Sequence, residues 1–296
     1  MVRILLIGKW GQLGWELQRA LSPLGEVTAV DYPEIDLVNE RQVREMVRVH
    51  RPQVIVNASA YTAVDRAESE PDIAMAINAQ APGILAEEAL RLGAALIHYS
   101  TDYVFDGRKG SEYLESDSPN PLGIYGRSKL EGERLIQTAR GVFLILRTSW
   151  VYSLRRDSFV IKVLQWSRQQ QVLRVVSDQV SNPTWARMLA EATTLLLAKG
   201  GDGWKDWLSE RRGLYHLAGS GYASRLEWAQ AILKCDPRKD EQVTHELRPA
   251  LTADFPTPAQ RPLFSALNCD LFAQTFDMHL PPWEKALRLA MESNIG

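Results

Sequence analysis

Cysteine is almost absent from this 296-residue chain: Cys235 and Cys269 are the only two, and they lie far apart. That excludes a disulfide framework and a thiolate metal site, and it fits a reducing compartment. The five histidines, His50, His98, His216, His245 and His279, show no metal-ligand spacing and read as structural or surface residues. A Gly-x-Ser-x-Gly elbow for a serine nucleophile is also missing. No stretch reaches membrane-spanning length, and the apolar run Ile4 to Ile7 ends in glycine too soon for a signal segment. A cytoplasmic protein is expected. Nor is there an excess of charge of one sign: 34 basic against 36 acidic residues leave a net charge of -2, which argues against a nucleic-acid binder.

What the chain does have is a regular alternation of strand and helix signals. Val2 to Ile7 is a short, branched apolar run closed by Gly8, as in a strand buried on both faces of a parallel sheet. Further runs at 27–30, 54–56, 94–98 and 142–146 are separated by segments with helical spacing, such as 12–21 and the set Val43, Met46, Val47 and Val49. This predicts an α/β fold with a Rossmann-like, doubly wound parallel sheet. Pro82 predicts a kink or the start of a second helix within 72–92. Beyond Trp150 the pattern loosens. Helices are expected near 158–166, 185–197 and 225–234, strands near 172–176 and 214–217, and an irregular proline-rich run over 249–262. The expected division is an NAD(P)-binding domain over 1–150, rejoined by parts of 185–217, and a smaller mixed α/β domain for substrate over 151–296.

The chemistry concentrates in a few places. Gly8, Gly11 and Gly14 are spaced G-x-x-G-x-x-G between a predicted strand and a predicted helix. Such a turn lets backbone approach a pyrophosphate, whose charge the helix amides meet; a purely structural turn is the alternative. Asp31 closes the second strand, where a carboxylate would hydrogen-bond an adenosine ribose. It favours NADH, since no basic residue follows in Tyr32-Pro33-Glu34, though a turn aspartate is the alternative. The strand before Ala60, Tyr61 and Thr62 ends in small residues over which a dinucleotide would lie. Tyr99-Ser-Thr101-Asp102 runs from a strand into hydroxyls able to hydrogen-bond a carbonyl oxygen as charge develops on it. Tyr125 and Lys129 are i and i+4 neighbours on a helix predicted over 125–138. An ammonium beside the phenol would favour phenolate and bring the tyrosine toward the working pH. A solvated helix face is the alternative, and the surrounding motifs weigh against it.

In the order and spacing of these segments the chain resembles the dTDP-4-dehydrorhamnose reductases, extended short-chain dehydrogenases/reductases of dTDP-rhamnose biosynthesis. The matching stretches are 8–17, 57–68, 100–107, 125–129, 147–152, 213–217 and 256–262. The resemblance implies an NAD(P)H-dependent oxidoreductase that reduces the 4-keto group of dTDP-6-deoxy-L-lyxo-4-hexulose to give dTDP-L-rhamnose, a precursor of cell-surface polysaccharide. The cofactor is expected to be NADPH or NADH. Gly11, Gln12, Leu13, Asp31, Asp36, Leu37, Ala60, Tyr61, Thr62 and Tyr99 would line it, beside Gly8, Gly14, Tyr125 and Lys129. Thr101, Tyr125 and Lys129 would be catalytic. Thr101, Asp102, Tyr125 and Trp150 would face the deoxysugar, with the loop from Asp178 to Thr184 beside it. Some relatives are metal-linked dimers using glutamates. That makes Glu16, with Glu284 and Glu292 on a predicted final helix, candidate Mg2+ ligands at a homodimer interface; solvated helix-face glutamates are the alternative.

Other proteins share parts of this pattern. A nucleotide-sugar 4,6-dehydratase would need a glutamate after Thr101-Asp102, where Tyr103 stands. A nucleotide-sugar epimerase or another reductase of the same fold stays open. Against a non-catalytic NAD(P)-binding regulatory subunit stand the intact Thr101, Tyr125 and Lys129.

Overall fold

The computed structural model describes residues 2–292. Six strands build its central sheet: β1 (Val2–Ile7), β2 (Gly25–Val30), β3 (Val54–Asn57), β4 (Ala95–Thr101), β5 (Val142–Thr148) and β6 (Gly213–His216). They run parallel in the spatial order β6-β5-β4-β3-β1-β2, so the winding direction reverses beside β1. The helices that cover the sheet include α1 (Gln12–Ala20), α2 (Glu40–His50), α3 (Ala81–Leu92), α4 (Ile124–Ala139) and α5 (Ala186–Lys199).

The two-residue period of each strand sorts side chains between the layers. Ile4, Leu6, Val56 and Ile97 meet Leu17 of α1 and Leu189 of α5 on one face. Leu5, Ile7, Ile55 and Leu96 meet Val47 of α2, Leu85 of α3 and Ile136 of α4 on the other. Burial on both faces is why these strands read as unbroken apolar runs. Pro82 lies in the first turn of α3, which continues a helical run from Pro71 through a π-helical turn over Ala76–Gln80, so the helix runs on and the proline falls directly after the widened turn.

A third core, with Val160, Leu173, Trp185, Trp228, Ile232, Trp283 and Leu287, lies beyond the sheet. It is braced by short pairings, including Glu246–Ala250 parallel to Val172–Val176. The start of the expected irregular run 249–262 is therefore strand; Pro249 fits because a two-stranded ribbon leaves one edge unpaired. The chain returns from this region to the first half, with α5 packed on α1 and β6 paired to β5. Among the described residues no helix is long and apolar enough to cross a membrane.

Candidate active site

Beside the reversal point, at the carboxyl ends of the strands, lies a cavity of about 610 Å³. Gly8, Gly11, Gln12 and Leu13 line it from the β1–α1 turn, Asp31 from the end of β2, and Ala60 and Thr62 from the segment after β3. Tyr99 of β4 and Tyr125 and Lys129 of α4 close the far side. Gly8 has φ +96°, and a Cβ there would lie 2.8 Å from the Ser59 nitrogen. A Cβ on Gly14 would come within 1.9 Å of the Gly8 carbonyl oxygen, so Gly14 serves close packing of the turn rather than the cavity wall. Gly11 caps α1 without any side-chain hydrogen bond, which leaves the first-turn amides for an anion. The Thr148 hydroxyl, buried without a partner, lines the same space. A dinucleotide fits this set of donors.

Asp31 is fixed by two backbone amides, Trp10 N–H on Oδ2 at 3.0 Å and Tyr32 N–H on Oδ1 at 2.9 Å. Basic side chains reach this end from elsewhere in the chain. Lys9 pairs with Glu34 at 2.5 Å, and Arg156, which lines the cavity, donates to the Trp10 carbonyl. The local sequence around Asp31 gave no sign of either. Other expected cofactor residues do not reach the cavity. Asp36 accepts Val38 N–H at 3.0 Å in its own turn, Leu37 packs under the sheet, and the Tyr61 hydroxyl donates to Glu70. Gln12 lines the cavity while its Oε1 accepts Ser153 N–H at 2.6 Å. Trp10, Ser59, Ser100, Thr148, Val151 and Asp157 also line the cavity; all but Asp157 lie within the matching stretches, but none is singled out there as a cofactor residue.

Tyr125 and Lys129 do share one face of α4, but the lysine does not sit against the phenol. Its Nζ donates to the Tyr99 carbonyl at 2.6 Å and lies 3.1 Å from His98 Nε2. A buried nitrogen takes the acceptors nearest to it, and these belong to β4. Burial pushes Lys129 down to about 8, with Glu133 acting against the shift. Burial also pushes the Tyr125 phenol well above its ordinary range, opposed by the Thr101 hydroxyl. The expected lowering of Tyr125 by Lys129 is therefore not found: the site holds a protonated phenol. The helix is held in place by Asn78, whose Nδ2 donates to Ser128 Oγ at 3.0 Å and to the Tyr61 carbonyl at 3.1 Å. Behind it, Glu133 accepts from Arg147 at 2.7 and 2.9 Å and from Ser100 Oγ at 2.5 Å.

Thr101, Asp102 and Trp150 stand outside the cavity wall. Thr101 Oγ1 donates to Asp102 Oδ1 and accepts Tyr103 N–H, both at 3.1 Å. Asp102 Oδ2 accepts from Ser265 at 2.5 Å and Ser181 at 3.1 Å, and burial pushes its carboxyl up to about 6. Trp150 stacks on Trp228, ring centroids 5.4 Å apart, and carries the Arg225 guanidinium 3.6 Å over its face. Burial lowers Arg225 to about 10, opposed by Tyr103 and Asp102, and it forms no ion pair among the described residues. The expected ligand loop is chiefly a brace: Asp178 accepts from Thr252 Oγ1 at 2.7 Å, and Asn182 accepts Leu267 N–H and donates to the Gly221 carbonyl, both at 2.8 Å.

Within one protomer the candidate Mg2+ ligands do not come together. Glu16 accepts from Arg187 at 3.3 Å, Glu284 and Glu292 are exposed, and no group of three or more metal-binding side chains occurs among the described residues.

The family described as RmlD substrate binding domain matches residues 2–294. The dTDP-4-dehydrorhamnose reductase of Salmonella typhimurium is 40% identical over 294 residues, covering 97% of this chain and 96% of that protein. The enzyme of the same name from Escherichia coli K12 is 41% identical over 293 residues, with the same coverage. Among solved structures, dTDP-4-dehydrorhamnose reductase from Bacillus anthracis in complex with NADP superposes with a TM-score of 0.89 at 30% identity, covering 99% of each chain. With a matched family spanning nearly every residue and a glycine turn, tyrosine and lysine converging on one cavity, the chain belongs to the dTDP-4-dehydrorhamnose reductase family, with its Rossmann-like fold.

Proposed function

We propose that this chain is an NAD(P)H-dependent oxidoreductase that reduces the 4-keto group of dTDP-6-deoxy-L-lyxo-4-hexulose to dTDP-L-rhamnose. The observation that carries the reading is the shared cavity: the uncapped start of α1 and the Tyr125 and Lys129 side chains of α4 line one space. A nicotinamide dinucleotide bound across the strand ends supplies the hydride. Tyr125, kept protonated by its burial, hands the phenol proton to the keto oxygen as charge develops there. Thr101, turning its hydroxyl from Asp102 to that oxygen, shares the charge. Lys129 of α4, anchored on the Tyr99 carbonyl of β4, would hold the ribose of the cofactor.

On the substrate side, the Arg225 guanidinium lies on the Trp150 face with no carboxylate partner among the described residues, which suits the diphosphate of a nucleotide sugar. The segment 1–150 with 186–217 would hold the cofactor, joined by Val151, Arg156 and Asp157 at the cavity rim, and the remaining residues the sugar nucleotide. Both cofactors are accepted in this reading: Asp31 serves the ribose hydroxyls of NADH, and Arg156 answers the additional phosphate of NADPH.

The test is cofactor oxidation, followed by loss of reduced-nicotinamide absorbance, with the keto sugar generated in situ and the product identified by mass. A two-hydrogen gain that depends on the keto sugar is expected; cofactor binding without turnover would refute the reading. Tyr125→Phe should bind NADPH normally yet lose roughly 10²- to 10⁴-fold in kcat.

A further inference from the structure

The loop after Tyr152 crosses from one half of the molecule to the other at the rim of the cavity. It leaves the short strand Val151–Tyr152, runs through Ser153, Leu154, Arg155, Arg156 and Asp157, and enters the helix Phe159–Ser167 at its cap, Ser158. The base of this loop is closed. Ser158 Oγ donates to the Ser153 carbonyl at 2.9 Å, and Ser153 N–H donates to Gln12 Oε1 at 2.6 Å. The tip is held differently: among the described residues, Leu154 to Asp157 make no hydrogen bond from main chain to main chain, and Arg155, Arg156 and Asp157 are exposed. Arg156 and Asp157 nevertheless line the cavity, so side chains must keep the tip there. Leu154 packs on the third core and Asp157 pairs with Lys162 at 3.2 Å, both within the loop's own half. Only Arg155 and Arg156 reach across from the tip, Arg155 to the ring of Trp15 on α1 and Arg156 to the Trp10 carbonyl in the glycine turn.

Arg155 Cζ stands 3.6 Å from the centre of the Trp15 ring, and Arg19 Cζ stands 3.4 Å from it. Two guanidinium carbons so close to one ring centre would overlap on a single face, so the indole lies between them, each cation against one face of the π-system. Arg19 is held in its own helix by the Trp15 carbonyl at 2.9 Å. Arg156 is placed by the next contact along: the Trp10 whose carbonyl it meets gives its N–H to Asp31 Oδ2 at 3.0 Å, which sets the guanidinium beside the carboxylate at the end of β2. We propose that Arg155 is a positioning residue for cofactor choice: stacked on Trp15, it pins the loop tip and so aims Arg156 at the additional phosphate of NADPH. Arg155 itself stands outside the cavity lining. A pinned tip has Arg156 in place before the phosphate arrives, so binding need not order the loop. The inference rests on the phosphate role given to Arg156 above, and not on reduction of the sugar.

Calorimetric titration of the full chain with NADPH and with NADH tests this without the sugar nucleotide, the quantity read being the ratio of the two affinities. Arg155→Gln should lower the preference for NADPH about two- to fivefold, the worth of one exposed cation–π contact, with NADH affinity little changed. Trp15→Leu keeps the charge of Arg155, removes the ring beneath it, and should lower the preference equally. In an Arg156→Gln background, Arg155→Gln should change the ratio no further, because the group it positions is gone. A ratio unmoved by Arg155→Gln overturns the proposal, and so does a loss that persists in the Arg156→Gln background or is missing from Trp15→Leu. If Trp15→Leu fails to fold, the exposed Arg155 and Arg156 variants decide alone. Should Arg156→Gln lower the preference while Arg155→Gln does not, Arg156 keeps its role and the positioning fails; should Arg156→Gln itself have no effect, the phosphate role falls and the positioning with it.

Discussion

Replacing Glu133 by Gln tests the buried ion pair on which the catalytic helix leans. The Glu133 and Arg147 side chains are 1% and 3% exposed, so water cannot take over for a lost partner. Arg147 already has its Nη1 without a hydrogen bond, its guanidinium lies 5.0 Å over the Phe105 ring, and among the described residues Glu133 is its one ion-pair partner, with Glu115 acting on it only from farther off. Glu133→Gln keeps the shape and removes the charge, which leaves a buried cation uncompensated. Breaking such a pair from one side costs about 3–5 kcal/mol, and the amide oxygen that remains as acceptor argues for the lower end. At roughly 2–4 °C per kcal/mol for a chain of this size, calorimetry near neutral pH should find Tm lowered by roughly 6–12 °C. Removing both charges, as Glu133→Leu with Arg147→Met, should recover most of that loss, because two apolar side chains carry no desolvation cost. A loss under about 1 kcal/mol, or a double variant no better than the single one, would refute the reasoning. The same substitution removes the group that opposes the lowering of Lys129, so Lys129 should titrate below about 8.

Other outcomes follow from the same geometry. Gly14→Ala drives a methyl group to within 1.9 Å of the Gly8 carbonyl oxygen and should displace the turn, weakening NADPH binding about tenfold or more by titration; an unchanged Kd would refute it. Arg156→Gln should lower kcat/KM for NADPH about fivefold more than for NADH, the worth of one partly solvated charge contact; equal losses would show that Arg156 does not read the phosphate. Asp102, raised to about 6, binds its proton more tightly folded than unfolded, so its stabilising contribution is full below about pH 4 and lost as pH rises through about 6. His216, lowered to about 3, and His98, well below its ordinary value, act oppositely: their contribution is present above about pH 6.5 and lost as pH falls. Urea unfolding of Asp102→Asn should show the first trend gone and the second kept, a gain over the parent on the order of 3 kcal/mol between about pH 4 and pH 7; parallel curves would refute this.

The legible part of the site is the part whose requirements are local. A strand, a glycine turn and a helix must follow one another directly, and Gly8, Gly11 and the i, i+4 pair Tyr125 and Lys129 state this in their spacing. Groups that meet only through tertiary packing left no trace in the sequence. Arg156 reaches the cavity from a loop far along the chain, Glu133 finds Arg147 across a helix and a strand, and His98 looked like one more core histidine. Lys129 is the instructive case: its position on the helix was readable, but which acceptor its nitrogen takes depends on the neighbouring strand, and β4 presents a carbonyl and an imidazole there. Asp36, Leu37 and Tyr61, expected near the cofactor from their places after β2 and β3, turn instead to their own loops and core.

The return of α5 and β6 to the first half also dictates how the chain can be recombined with its relatives. Since β6 is the edge of the sheet beside β5, a fragment ending near residue 150 would expose the β5 backbone and uncover the α1 surface on which α5 packs. On the proposed division, a chimera that borrows another relative's sugar-binding region must therefore keep 186–217 and the cavity-lining 151–157 with residues 1–150 and exchange the two remaining stretches as a pair, so the transferable unit is discontinuous in the gene.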